Sequence, residues 1–161
     1  LNRILLKHVE MGIYHCGVEV NGEEWSFQYY EDTWNDPTVS GLQRCSPMFM
    51  PEYEFQESIY LGPTPCSEGE VDEIIHSLEL AYPACSYHIT RKNCLTFAEH
   101  LAGLLKVPKP FPDSLKGILQ ASNNSRPADA IVDCTWSCLK RWMIWKHSTD
   151  GQGSSGICSL L

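Results

Sequence analysis

The sequence has little positive charge. Its 161 residues include 12 Lys and Arg against 20 Asp and Glu, which gives a net charge of −8 at pH 7. Binding to nucleic acid depends on clustered Lys and Arg that displace counterions from phosphates. We therefore expect no nucleic-acid partner, and the acidic balance favours partners with basic surfaces.

Long hydrophobic runs are also lacking. No stretch of about 18 apolar residues occurs, and the best candidate, residues 131–146, is interrupted by Asp133, Lys140 and Arg141. The pattern of a secretory leader is absent as well. These absences predict that the chain has no membrane span. They also predict a cytoplasmic location, with the nucleus as a second compartment.

The eight cysteines lack the spacing of a zinc site, because no C-x-x-C pair occurs. The sequence also contains no G-x-S-x-G elbow, no glycine-rich phosphate loop and no H-E-x-x-H motif. Without a secretory leader, a disulfide framework is not expected either. We predict free thiols, no metal and no cofactor.

The chain does contain enough apolar material for one core, since 43% of its residues are hydrophobic and its length suits one domain. The clearest local pattern is "GIYHCGVEVNGEEWSFQYY", residues 12–30. Two alternating runs flank Asn21 and Gly22, a pair that favours a type I′ turn. The pattern predicts a hairpin with Cys16 on the apolar face and with His15 and Gly17 on the other face.

Further elements follow from the same rules. Residues 32–53 are predicted as a long loop, and the alternation in "EFQESIYLG" predicts a third strand. Ser67 and Glu70 form a capping box that opens a helix ending near Leu80. "SYHIT" predicts a short strand, and the helical spacing of apolar residues in "CLTFAEHLAGLL" predicts a core-facing helix that begins at Asn93 or Cys94.

Cys94 is the candidate nucleophile. The thiolate is the reactive form of cysteine, and the N–H groups and positive dipole at a helix start favour it. Arg91 and Lys92 lie just upstream and are expected to act in the same direction. The structural alternative is a small buried residue that begins a core helix.

A cysteine nucleophile needs an imidazole partner that is close in space. Of the six histidines, His15 is best placed, because Gly17 beside it predicts open space for a substrate backbone. The alternative is a half-buried strand histidine without a catalytic role. Asn93 is a candidate for oxyanion or loop support, although an Asn at this position usually caps the helix.

The segments "GIYHCGVEVNGEEWSF", "SIYLGPT" and "SYHITRKNCLTFAEHLAGLL" resemble, in this order, the PPPDE family of permuted papain-like cysteine peptidases. The family's catalytic histidine, in G-[IVLF]-[WFY]-H-[ST]-G-[IV], aligns with His15, and its cysteine, in N-C-N-x-F, aligns with Cys94. The resemblance implies a peptidase domain over residues 1–112, with an α+β fold and a small antiparallel sheet packed against helices. Leu95 stands where the family commonly has Asn, and the family's first strand is expected to be absent.

The resemblance implies a cysteine isopeptidase that removes ubiquitin or SUMO from modified proteins through His15 and Cys94. The motifs are nearer to the deubiquitinating branch, and a narrow cleft at Gly17 suits a Gly-Gly tail. Two alternatives use the same residues. One is a thioesterase that acts on palmitoylated proteins, and the other is an adaptor with an impaired site that binds a ubiquitin-like partner.

Beyond the peptidase domain we predict a helical extension, residues 113–146, and a disordered tail, residues 147–161. The extension includes an aromatic-rich helix at residues 131–146. This helix suits a membrane surface, self-association or a partner protein. Packing across the domain itself is the equally favoured alternative.

Overall fold

A computed structural model of the chain describes residues 2–9, 13–30, 36–50, 53–115, 136–138 and 141. Within them lie strands β1 (Asn2–Val9), β2 (Ile13–Val20), β3 (Glu23–Phe27), β4 (Leu42–Cys45) and β5 (Glu54–Gly62), helices α1 (Glu68–Ala81) and α2 (Cys94–Leu104), and a 3-10 turn (Ala84–Ser86). The strands form one antiparallel sheet in the order β4-β3-β2-β1-β5. The predicted α+β class is confirmed.

The β2–β3 hairpin forms as predicted. Asn21 and Gly22 occupy the turn with φ of 51° and 80°, the positive values that a type I′ turn requires. Val20 pairs with Glu23 directly after this turn, and the register continues to Gly17 opposite Ser26. The turn therefore sets which side chains share each face of the hairpin.

Two strands were not predicted. Residues 2–9 form β1, which lies between β2 and β5, so a strand precedes the hairpin although the family's first strand was expected to be absent. β4 lies within residues 32–53, which were predicted as a loop. That prediction is wrong in this part. The four residues of β4 carry no clear alternation, and they gain strand structure by pairing with β3.

The predicted strand "SYHIT" does not form. The chain makes the 3-10 turn at residues 84–86 and then a tight turn between His88 and Lys92. The His88 N–H donates to the Lys92 carbonyl at 2.8 Å, and the Lys92 N–H donates back to the His88 carbonyl at 3.0 Å. These backbone groups are satisfied within the turn, which delivers the chain directly to the start of α2.

The core lies between the sheet and the two helices, and α2 packs on β2 and β3. β2 contributes its apolar face, α1 one stripe and α2 another; their buried side chains are Cys16, Val18, Val20, Val71, Ile75, Leu78, Phe97, Ala98 and Leu101. The predicted capping box of α1 is present, with the Glu70 N–H bound to the Ser67 hydroxyl. Helical periodicity in the sequence thus identified the faces that pack.

The opposite face of the hairpin is buried as well. His15 and Glu19 are each 5% exposed and Glu24 is 0% exposed. Arg3 of β1 forms a salt bridge of 2.6 Å with Glu19. This face is therefore a buried polar layer, and not the partly open surface that the alternation suggested.

None of the helices among the described residues has the length and apolar character needed to cross a bilayer. In the extension, residues 113–115, 136–138 and 141 are helical. Trp136 is 4% exposed and packs on the domain through Tyr29 and Tyr87. The rest of the predicted helix 131–146 and the tail 147–161 lie outside the described residues.

Candidate active site

Cys94 is the first residue of α2, as predicted. Asn93 caps the helix: its side-chain oxygen accepts the Leu95 N–H at 3.1 Å and the Thr96 N–H at 3.0 Å. The cysteine follows the cap directly and is 6% exposed. Its side chain therefore lies where the N–H groups of a helix start converge, in the interior next to the sheet.

Hydrogen-bond donors from β2, from α2 and from the turn before α2 surround the thiol. They are the backbone N–H groups of Cys16, Leu95 and Cys94 itself, and the hydroxyl of Tyr87. Burial raises the pKa of the Cys94 thiol above its ordinary value, while these four donors act in the opposite direction. The balance is a raised pKa, so burial outweighs the helix-start effect that the sequence suggested.

The two cations upstream of Cys94 are engaged away from it. Lys92 donates through Nζ to the Ala81 carbonyl at 2.7 Å and lies over the Tyr82 ring at 4.6 Å. Arg91 places Nη2 3.1 Å from Nε2 of His88. The expectation that they favour the thiolate is not supported by this geometry, because the turn at residues 88–92 directs both side chains elsewhere.

His15 lies on β2 beside Cys16, the residue whose N–H contacts the thiol. Its imidazole stacks on the ring of Tyr53, with centroids 4.6 Å apart and an interplanar angle of 17°. The Tyr53 ring thus covers one side of the imidazole. Because α2 packs on β2, the structure brings the His15 strand and the Cys94 helix together.

Gly17 does not border open space. A Cβ at this position would lie 2.5 Å from Oε1 and 2.8 Å from Cγ of Glu24. The other carboxylate oxygen of Glu24 accepts the Met48 N–H at 2.9 Å. The predicted substrate cleft at Gly17 is therefore filled by a buried glutamate, which the glycine accommodates.

Both ends of the Asn93 side-chain amide bind within the chain. The oxygen caps α2, and Nδ2 donates to the Ile89 carbonyl at 2.7 Å. This residue holds the turn before the helix against the helix itself. In this geometry the backbone N–H groups near the thiol, and not the Asn93 side chain, are the available oxyanion donors.

Sequence reasoning missed Tyr87, Glu24 and Tyr53. The hairpin register pairs Glu19 with Glu24 and Gly17 with Ser26, which places all four on one face. A carboxylate next to Gly17 could thus have been found from the turn alone. Tyr53 and Tyr87 carry no such signal, because loops and turns determine their positions.

The described cysteines are free thiols, namely Cys16, Cys45, Cys66, Cys85, Cys94 and Cys138. Among the residues that the structure describes, no group of three His, Cys, Asp or Glu side chains is arranged to hold a metal ion. The Cys94 sulfur is surrounded by hydrogen-bond donors, and His15 lies on the strand that supplies one of them.

The fold and the site together define the class: an α+β domain of the papain-like kind, with a candidate nucleophile at the start of a helix beside a sheet. The family model described as "PPPDE putative peptidase domain" matches residues 4–131. The chain belongs to this family, and the predicted membership is confirmed.

Two curated proteins are similar in sequence to this chain. A DeSI-like protein of Arabidopsis thaliana is 31% identical over 102 residues, which cover 63% of this chain and 43% of that protein. A desumoylating isopeptidase 1 homolog of Caenorhabditis elegans is 30% identical over 99 residues, covering 59% of this chain and 28% of that protein. The match spans less than half of the length of either relative.

Proposed function

We propose that this chain is a cysteine isopeptidase that removes a ubiquitin-like modifier from lysine side chains, with Cys94 as nucleophile and His15 as proton carrier. One observation carries the proposal. The Cys94 thiol lies at a helix start, against the strand of His15, with N–H donors from both elements around the sulfur. Family membership supports a peptidase, and the geometry supports these two residues.

The proposed reaction has two steps. The Cys94 thiolate attacks the isopeptide carbonyl, the C–N bond breaks, and the leaving lysine amine takes a proton from the His15 imidazolium. Water then attacks the thioester, gives a proton to the imidazole and releases the carboxylate and the thiolate. The N–H groups of Cys16 and Cys94, which lie at the sulfur, are suited to the oxyanion that forms in each step, since the Leu95 N–H is used in the helix cap.

We propose SUMO conjugates as the first substrates to test. The name of the Caenorhabditis elegans relative refers to SUMO removal, whereas the motif wording in this chain favoured ubiquitin. Cys94 as a residue is 6% exposed, which suits the slender Gly-Gly tail that the two modifiers share. The choice between them lies in contacts with the globular body of the modifier, so both belong in one experiment.

The test is covalent labelling of the folded protein with SUMO and ubiquitin probes that carry a C-terminal vinyl sulfone. An adduct is expected with the wild type, none with Cys94→Ser, and a strongly reduced rate with His15→Ala. Cys66→Ser removes a partly buried thiol outside the candidate site, and this variant should label like the wild type. Absence of an adduct from folded wild type would contradict the proposal and favour the thioesterase or adaptor.

A further inference from the structure

Tyr87 occupies a fixed place next to the candidate nucleophile. Its ring packs among three aromatic side chains, with centroid distances of 5.1 Å to Phe27, 6.4 Å to Tyr29 and 6.0 Å to Trp136. These partners come from β3, the segment after β3 and the C-terminal extension. Contacts from three parts of the chain restrict the ring, so its hydroxyl has a defined position.

The hydroxyl of Tyr87 forms a hydrogen bond with the Cys94 thiol. Burial, and secondarily the neighbouring thiolate, raise the pKa of Tyr87 well above its usual range. A thiolate carries no proton, so in this pair the phenol is the donor and the sulfur is the acceptor. It adds a side-chain donor to the backbone N–H groups of Cys16, Leu95 and Cys94.

We propose that Tyr87 is a catalytic residue of this site: its phenolic hydroxyl donates to the Cys94 sulfur and stabilises the thiolate before attack. Its catalytic role rests on the proposed isopeptidase function, but its effect on the thiol does not. Because Arg91 and Lys92 bind elsewhere, the hydroxyl takes the place of the cation that the sequence suggested. Formation of the thioester removes the negative charge from sulfur, which weakens this hydrogen bond and frees the phenol.

The experiment measures alkylation of Cys94 by iodoacetamide between pH 6 and pH 11, followed on the Cys94 peptide by mass spectrometry. The readout is the pH midpoint of the rate, because the intrinsic reactivity of a thiolate also changes with its basicity. A hydrogen bond to a charged group is worth about 1.5–3 kcal/mol, and one pH unit corresponds to about 1.4 kcal/mol. Tyr87→Phe should therefore raise the midpoint by about one pH unit.

Tyr82→Phe is the matched control. Tyr82 also packs on Phe27, at 5.0 Å, but its hydroxyl contacts Nδ1 of His100 at 3.1 Å and not the thiol. Loss of the Tyr82 hydroxyl should leave the pH midpoint of Cys94 alkylation unchanged. A midpoint that moves equally in both variants, or in neither, would overturn the proposal and leave Tyr87 with a packing role.

A second substitution covers the case in which Tyr87→Phe fails to fold. Fluorotyrosine placed at position 87 keeps the ring and makes the hydroxyl a stronger donor, so the midpoint should fall below that of the wild type. No fall would count against the proposal. Alkylation uses no substrate, so the two proposals can fail separately. A midpoint shift in Tyr87→Phe without any modifier adduct from the wild type would contradict the isopeptidase proposal alone. An adduct from the wild type without a midpoint shift in Tyr87→Phe would contradict only the role of Tyr87.

Discussion

At the scale of single residues, Gly17 and Glu24 fit each other on the buried face of the hairpin. The Glu24 carboxylate is 0% exposed and is held by the Met48 N–H, so it cannot swing into solvent to make room. We predict that Gly17→Ala lowers the free energy of unfolding by about 2 kcal/mol, because the added Cβ overlaps Glu24. Urea unfolding at pH 7 measures this loss.

The matched control for this prediction is Gly103→Ala in α2. A Cβ at position 103 meets nothing within 4 Å, so alanine there should stabilise the protein by about 0.5–1 kcal/mol through helix propensity. If Gly17→Ala were as stable as the wild type, the carboxylate would have another position available. The same result would reopen the earlier idea of free space beside His15.

The positions of the candidate residues on their helix and strand were predictable from the sequence where a local pattern determines the element. The helix start at Cys94 follows from apolar spacing, and the strand position of His15 follows from alternation next to Asn21 and Gly22. The electrostatics at the thiol did not follow, because the desolvation of a buried side chain depends on what covers it. The contact of Tyr87 with the thiol was missed for the same reason.

At the scale of elements, the start of α2 depends on Asn93. Its side chain caps two N–H groups of the helix and also binds the Ile89 carbonyl. We predict that Asn93→Ala lowers the free energy of unfolding by about 2 kcal/mol, the upper end for an N-cap, because the residue is buried and makes a further bond. Thermal and urea unfolding both measure this loss of stability.

Ser67→Ala, at the N-cap of α1, is the comparison. Ser67 is exposed and caps its helix without a contact to a distant segment, so the loss should be nearer to about 0.5–1 kcal/mol. Asn93→Ala should also change the alkylation rate of Cys94, whereas Ser67→Ala should not. Equal losses in stability and equal alkylation rates would show that Asn93 acts as an ordinary cap.

The elements themselves were predictable where local rules suffice. The hairpin has its turn pair, α1 has its capping box, and both helices have an apolar stripe. β4 and the turn at residues 88–92 were missed, because β4 exists through its pairing with β3 and the turn through bonds between His88 and Lys92. Such tertiary partners leave no periodic trace in the sequence.

At the scale of the whole molecule, Trp136 joins the C-terminal extension to the peptidase domain. Its ring lies 5.8 Å from Tyr29, 6.0 Å from Tyr87 and 6.3 Å from His88. We predict that Trp136→Ala lowers the free energy of unfolding by about 3 kcal/mol, the usual loss for a buried large aromatic side chain. These ring contacts favour packing of the extension on the domain over a role at a membrane surface.

Cys138→Ala provides the control for the extension, since this residue is exposed two positions further on. It should change stability by less than about 0.5 kcal/mol. Binding of the wild-type protein to anionic vesicles is the competing measurement. Vesicle binding that disappears with Trp136→Ala, without loss of stability, would restore the membrane interpretation.

The ionisation of buried groups makes the stability of the whole molecule depend on pH. Burial raises the pKa of Cys94 above the ordinary thiol value of 9.0 and raises that of Cys16 well above it. The folded chain therefore holds these protons when the unfolded chain has lost them. The stabilisation is complete below pH 9 and is lost as the pH rises from there towards the folded pKa values.

We therefore predict that the free energy of unfolding falls between pH 8 and pH 10.5, and that the fall is smaller in Cys16→Ala. Removing the Cys16 thiol removes one of the buried groups that must lose a proton, so the slope of the stability against pH decreases. Cys138→Ala should keep the wild-type slope, because it leaves the buried thiols of Cys16 and Cys94 in place. Urea titrations at four pH values give the slopes. A Cys16→Ala slope equal to that of the wild type would mean that the alkaline loss arises from other groups, with Tyr82 and Tyr87, whose pKa values are also raised by burial, as the next ones to substitute.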